Sequence, residues 1–445
     1  MTVSSSSPAR TGLGRTWVAA AGIAGAGMGS ALALSLVLVL MLDLPGIGLW
    51  DELVLAGTVA SAGFGVDGTL AVGYLDEGTD VDLAAHLGGF PLVVSLVGLG
   101  LSAYLLRRRL RDADAVREGL VMALRTALVT AAALLLLALV LRTDLSGLWG
   151  HSSHLEDLDV GLGARRTTAP LLGFLTTLAV LAAACLLRRD WLGPRLARVH
   201  DVAAAPIRGL AALLLLLPAA GIVAYAALLT GHLPEDLLSE LEAGTGDGGL
   251  GGSRRVALGV LGVGNAGLAF LGIGSGGRLG ASVEAGAERD LDLGYVGDFL
   301  RLPVDLSGRD AADGSWWGRL ATVHDHTGMW GLWLAVPVTL LVLGAAAWVV
   351  TSAARRSSLT FLPVSVWCAT MLVALPLLAR SASVHAGARL DARYADGWGG
   401  TDGGQLSADV YAGLAPVDAL LIAVVGVLVT VAVAIGRGLH TRPRP

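Results

Sequence analysis

The feature that most constrains this chain is a series of apolar runs of about twenty residues, separated by loops dense in charge. At about 1.5 Å per residue, a helix of that length matches a hydrocarbon core of about 30 Å. Lipid offers no water to pair backbone N–H and C=O groups, so the runs must satisfy those groups internally, and helices do so. Eight runs are long enough to cross: 17–42, 86–106, 120–141, 169–187, 209–229, 330–351, 359–378 and 414–436. The expected class is an all-α polytopic membrane protein with about eight transmembrane helices. Composition agrees, since 54% of the 445 residues are hydrophobic and the mean hydropathy of +0.69 is too high for an ordinary soluble domain.

The run from Trp17 to Leu42 follows a short arginine-bearing segment, as the core of a signal peptide would. Its length, and the lack of an A-x-A pattern before Asp43–Pro45, predict a retained first helix instead.

Charge sets the expected orientation. The formal net charge is -5, and all 31 basic residues are arginine, a bias that reads as high-GC coding. The arginines gather at one set of helix ends: Arg10 and Arg15, Arg107–Arg111, Arg188 and Arg189 with Arg195, Arg198 and Arg208, Arg355 and Arg356, and Arg437, Arg442 and Arg444. The positive-inside rule places these ends, and both termini, in the cytoplasm, with acidic loops outside. A lipid bilayer is the expected partner and nucleic acid is not. Cys185 and Cys368 lie in apolar runs, so a disulfide framework or CxxC metal site is not expected.

A ninth apolar stretch, Val256–Gly276, is rich in glycine and contains Asn265. A full crossing there would put Arg355, Arg356 and the C-terminal tail outside. A re-entrant or broken helix is therefore the expectation. With Leu53–Tyr74 as its counterpart, each half of the chain reads as helix, Gly-rich segment, acidic stretch, helix, arginine turn, helix, loop, helix. The expected organisation is a tail over 1–16, a four-helix half over 17–187, a cytoplasmic linker over 188–208, and a second four-helix half over 209–436 with a large outer loop over 230–329. A tail over 437–445 completes it. Alternating residues in 68–83, 154–164, 289–300 and 405–416 predict short extracytoplasmic β-strands. Pro91, Pro170 and Pro416 read as helix starts.

Candidate chemistry is sparse. His151 and His154 in HSSH, and His324 and His326 in HDH, lack a third ligand at metal-site spacing, so no metal is expected. Arg125 is near enough to a helix start to reach the headgroups, and Asp418 follows Pro416 at a helix N-terminus. The glycines from Gly262 to Gly274 sit in a membrane-length run, not in the strand–turn–helix context of a nucleotide fingerprint. No GxSxG, HExxH or Walker sequence occurs, so an enzyme and a cofactor are not expected. The candidate substrate or packing site is Asn265 with Gly264, Gly272, Gly274 and Ser275: broken helices in matched repeats expose backbone dipoles, whereas the same glycines also permit close helix packing.

The stretch NAGLAFLGIGSGG (Asn265–Gly277), the acidic outer strands and the Pro-led helix entries resemble the streptophobe family of actinobacterial integral membrane proteins. That family begins the motif Pro-Asn, where this chain has Gly264 before Asn265. The resemblance implies a bacterial cell-membrane location and architecture, and no catalytic residues. The expected function is a non-enzymatic envelope scaffold or sensor acting through acidic extracytoplasmic loops, with an envelope protein as partner. The alternative is a permease for a small or lipidic solute, with its site between the halves.

Overall fold

The computed structural model describes residues 11–42, 48–76, 79–88, 91–110, 116–144, 158–187, 193–228, 252–277, 279–287, 333–356, 361–395, 401–414 and 416–438. The helices described are α1 (Thr11–Leu42), α2 (Leu49–Ala62), α3 (Leu92–Arg109), α4 (Val116–Val140) and α5 (Ala169–Leu186). They continue as α6 (Gly193–Leu228), α7 (Gly252–Gly274), α8 (Ala335–Ala354), α9 (Phe361–Ala382) and α10 (Pro416–Gly436). The strands are β1 (Gly68–Asp76), β2 (Thr79–Gly88), β3 (Arg142–Asp144), β4 (Leu158–Ala164), β5 (Leu279–Ala287), β6 (Val384–Ala395) and β7 (Thr401–Leu414). Eight of the helices are long and apolar enough to cross a membrane, which makes the chain a multi-pass membrane protein.

The membership of that set of eight differs from the sequence expectation. It contains α7 and lacks α3. Residues 86–88, expected in a crossing, close strand β2; Pro91 precedes the helix, and α3 starts only at Leu92. At 18 residues α3 rises about 27 Å, and its last turn is Arg107–Arg108–Arg109. The stretch expected to be a broken helix is the unbroken α7 of 23 residues. The part of the expected linker from Gly193 onward forms the first turns of α6, which continues for 36 residues through Pro206 and Pro218. A proline withdraws one helical N–H, a loss that neighbouring helices and local adjustment can absorb within a membrane bundle.

Packing follows one pattern twice. Helix α1 packs on α2, α3 and α4, with α5 against α3 and α4; helix α6 packs on α7, α8 and α9, with α10 against α8 and α9. One core gathers Ala31, Phe64, Val94, Leu99 and Leu134. Another gathers Leu213, Leu271, Leu343, Trp367 and Ile422. Trp367 is buried, and its indole N–H donates to Thr430 Oγ1 at 3.1 Å while that hydroxyl donates to the Gly426 carbonyl at 2.7 Å. The polar handle of this aromatic core residue is thus paired, as its burial requires.

The strands form a seven-stranded sheet in the order β3-β4-β1-β2-β6-β7-β5, and every pair is antiparallel. They lead into or out of the ends of the helices away from the arginine turns: β1 after α2, β2 before α3, β5 after α7, β6 after α9 and β7 before α10. The register aligns Leu162, Leu70, Ala85, Ala388, Ala408 and Ala285 in one transverse row. Asp159, Gly73, Asp82, Asp391 and Gln405 form a row of the opposite parity. With a strand period of two, Leu and Ala recur in rows of one parity, and Asp, Arg389, Arg393 and His385 in rows of the other. The strands expected over 68–83, 154–164 and 405–416 correspond to β1 with β2, β4 and β7, whereas 289–300 lies outside the described residues.

Two helices enter the sheet through the same turn. After α2, the N–H of Val66 bonds to the Ser61 carbonyl (3.2 Å) and that of Gly65 to the Ala62 carbonyl (2.9 Å). After α7, Gly277 bonds to Gly272 (2.8 Å) and Gly276 to Ile273 (3.0 Å) in the same geometry. This is the Schellman ending, and its left-handed residue is Gly65 in one case (φ 83°) and Gly276 in the other (φ 89°). A Cβ in that region costs about 1–2 kcal/mol. Gly276→Ala is therefore expected to lower the thermal unfolding midpoint in detergent, and Gly100→Ala, where an added methyl meets nothing within 4 Å, is expected to leave it unchanged or raise it. Light-scattering or fluorescence melts of the two variants check this.

Candidate functional site

The sequence-derived candidates all fall on or just beyond α7, and the structure shows what each touches. Gly264, Gly267, Gly272 and Gly274 are points of close approach. A methyl at Gly264 would lie 2.7 Å from Leu92 Cβ, and one at Gly272 would lie 2.6 Å from Leu414 Cδ1. At Gly267 it would strike the Leu217 carbonyl, and at Gly274 the Ala335 carbonyl and Thr339 hydroxyl. On the facing helix, a methyl at Gly221 would strike the Val263 carbonyl. The α6–α7 crossing thus places backbone against backbone, with small residues on both sides.

Asn265 uses both ends of its amide. Oδ1 accepts from the Leu92 N–H at 3.3 Å, and Nδ2 donates to the Ala382 carbonyl at 2.7 Å. The first partner opens α3 and the second closes α9, so one side chain satisfies an orphan donor at one helix start and a carbonyl at one helix end. The short donation is geometrically good and the longer acceptance is weak. Gly264, Asn265, Gly272 and Gly274 of α7 meet Leu92, Ala382, Leu414 and Ala335, where helices meet the sheet, whereas Gly267 between them meets Leu217 in the interior of α6.

Ser275 is half-buried, and its Oγ is buried without a hydrogen-bond partner. Asp418, in the first turn of α10, lies with its Cβ 3.3 Å from the position a methyl would take at Gly277. Its carboxylate stands at the helix N-terminus, where the dipole favours negative charge. The sites missed by sequence reasoning are the partners of Asn265: Leu92 N–H and the Ala382 carbonyl are backbone groups and carry no residue signal.

At the opposite end of the bundle, Arg125 donates through Nη1 to Thr16 Oγ1, and its guanidinium lies 5.1 Å from the Trp17 ring centroid. Arg437 donates to the Trp348 carbonyl at 3.1 Å, Thr351 Oγ1 at 3.0 Å and Ser352 Oγ at 2.6 Å, and stacks 3.9 Å from the Trp348 centroid. Arg355 donates to the Arg437 carbonyl. These arginines tie helix ends together, with stacking that suits a desolvated guanidinium. Cys185 is buried, Cys368 is half-buried, and both are free thiols. Among the described residues, no group of three or more His, Cys, Asp or Glu side chains is placed to hold a metal. His151, His154, His324 and His326 lie outside the described residues.

No family model, curated protein or solved structure matches the chain.

Because both ends of Asn265 are engaged at the helix–sheet boundary, Asn265→Leu leaves a buried N–H and a buried carbonyl without their partner. Each such loss costs about 1–3 kcal/mol. The variant is expected to unfold at a clearly lower temperature than the wild type in the same detergent, with Asn265→Asp, which keeps the acceptor, intermediate between them.

Proposed function

We propose that the protein is a non-enzymatic envelope scaffold or sensor of the bacterial cell membrane, acting through its sheet on the extracytoplasmic side. The observation that carries this reading is the engagement of Asn265 and the glycines around it. The residues best suited to line a solute path are occupied by packing: the amide is used up on Leu92 and Ala382, and the glycines face Leu92, Leu217, Leu414 and Ala335. On this reading recognition falls to the seven-stranded sheet, whose register puts Asp159, Asp82, Asp391, Asp409 and Glu284, with Arg389 and Arg393, in rows of one parity.

Arginine placement supports the orientation. The turns after α3 and α8 and the end of α10 carry Arg107–Arg109, Arg355–Arg356 and Arg437, and positive-inside bias puts that end, with both termini, in the cytoplasm. On that orientation α7, although an unbroken helix long enough to cross, would start and end on the same side and lie among neighbouring helices.

The chain further reads as two related halves. The helix packing repeats, the sheet order repeats as β3-β4-β1 and β6-β7-β5, and the turns at Gly65 and Gly276 share their hydrogen bonds. The likeness of Asn265–Gly277 to the streptophobe motif accords with this architecture and supplies no activity. The permease reading draws on the same repeat, since matched helices in two halves are where transporters build their sites.

Single cysteines in a Cys185→Ser, Cys368→Ser background separate these readings. With a membrane-impermeant thiol reagent, Ser315→Cys is expected to react in intact cells, Ser357→Cys and Thr441→Cys only after permeabilisation, and Ser275→Cys under neither condition. Labelling of Ser275→Cys from one side would establish a solvent-filled path and replace the scaffold with a permease; reversed compartments would invert the orientation and make α7 a full crossing.

A further inference from the structure

The turn that ends α7 gathers oxygens that its own hydrogen bonds leave over. The last four carbonyls of a helix have no partner within it, and in α7 these belong to Leu271, Gly272, Ile273 and Gly274. The N–H groups of Ser275, Gly276 and Gly277 bond to the first three. The Gly274 carbonyl receives no such bond among the described residues. Ser275, next in the chain, has its hydroxyl oxygen buried without a hydrogen-bond partner, a state that costs stability unless something else engages it.

Asp418 meets the same turn from α10. Its Cβ lies 3.3 Å from where a side chain on Gly277 would begin, and the Gly272 carbonyl lies 3.1 Å from that point. Asp418 is half-buried, and no hydrogen bond or ion pair engages it among the described residues. Helix α8 closes the other side: the Ala335 carbonyl and the Thr339 hydroxyl lie against Gly274, where an added methyl would strike both.

A helix C-terminus carries partial negative charge, and hard cations take oxygen ligands from carboxylates and carbonyls. A single carboxylate balances a single positive charge, whereas calcium sites draw their affinity from several. Membrane proteins use helix C-terminal ends to coordinate sodium. We propose that the Gly274 carbonyl, the Ser275 hydroxyl and the Asp418 carboxylate form a site for a sodium ion at the junction of α7, α8 and α10.

The site lies where the sheet is rooted. Strand β5 begins at Leu279, opposite Leu414, and Leu414 packs on Gly272 four residues before Asp418. A bound ion fastens the end of α7 to the start of α10 at the point where β5 leaves the bundle and β7 returns to it.

The test is thermal unfolding of the full-length protein in detergent, in sodium chloride against choline chloride at equal ionic strength. Wild type is expected to unfold several degrees higher in sodium, with the midpoint climbing as sodium is titrated in, since a ligand of the folded state stabilises by mass action. Ser275→Ala is expected to match or exceed wild type in choline, where its hydroxyl has no partner to lose, and to forfeit most of the sodium increment. Asp418→Asn is expected to lose that increment altogether. Arg278, adjacent to Gly277 in the chain, lies outside the described residues; were its guanidinium the partner of Asp418, or a water that of Ser275, wild type would not distinguish sodium from choline. Equal wild-type midpoints in the two salts, or a full sodium increment in either variant, would overturn the proposal.

Discussion

The rest of the membrane architecture depends on the contact between α6 and α7, where no Cβ intervenes. Leu217 and Val263 present carbonyls to Gly267 and Gly221 at a distance that any side chain would forbid. Without that approach α7 would be pushed outward, and Asn265 could not reach Leu92 on one side and Ala382 on the other. The entry of β5 into the sheet beside Leu414 would shift with it. Lipid tails supply no hydrophobic force between helices, so van der Waals fit and a few hydrogen bonds must do what burial does in a soluble core. Glycine is costly in a helix facing water, but here it is the residue that permits the fit.

The two ends of the bundle solve different problems. At the sheet end the open groups are backbone ones, and they are met by strand pairing, Schellman turns and the Asn265 amide. At the other end the problem is charge, and the means are hydroxyls, carbonyls and indole rings arranged around Arg125, Arg355 and Arg437. Buried hydroxyls inside the helices mostly bond back to a carbonyl one turn earlier, as Thr58, Ser61, Ser102 and Thr130 do. This local bond satisfies a hydroxyl in lipid without any partner from another helix.

Much of the helical layout was legible because twenty-residue apolar runs have few alternatives. The failures have physical causes. Helix α3 starts six residues after the expected crossing because Ala84, Ala85 and Leu87 of β2 continue its apolarity, and only Pro91 marks the change. Helix α7 is expected to be re-entrant or broken because a full crossing would invert the arginine ends after it and its glycines suit a break; the helix is continuous, and Gly267 and Gly274 lie against neighbouring carbonyls, where smallness is the requirement. Strand β6, VHAGARLDARYA, is not among the expected strands because the apolar half of its alternation is rich in Ala, a weak strand signal, although His385, Arg389, Asp391 and Arg393 keep the period of two. Asn265 could be picked out as an isolated amide in an apolar run, yet its partners depend on tertiary geometry alone. The register between distant strands, such as β2 with β6, was not legible at all, since pairing across roughly three hundred residues of chain leaves no local pattern.

That pairing has a mechanical consequence. Strands β2 and β6 are matched over ten residues, from Thr79 opposite Tyr394 to Gly88 opposite His385, and each continues into a different helical group: β2 into α3, β6 out of α9. A ladder of that length is stiff against shear, because sliding by one residue would exchange the faces of every position along it. Rocking one helical group against the other would strain this joint directly, whereas a load applied to one edge of the sheet would pass through it to both groups together. The sheet therefore acts as a crossbeam, suited to transmitting force or strain across the molecule as a single body.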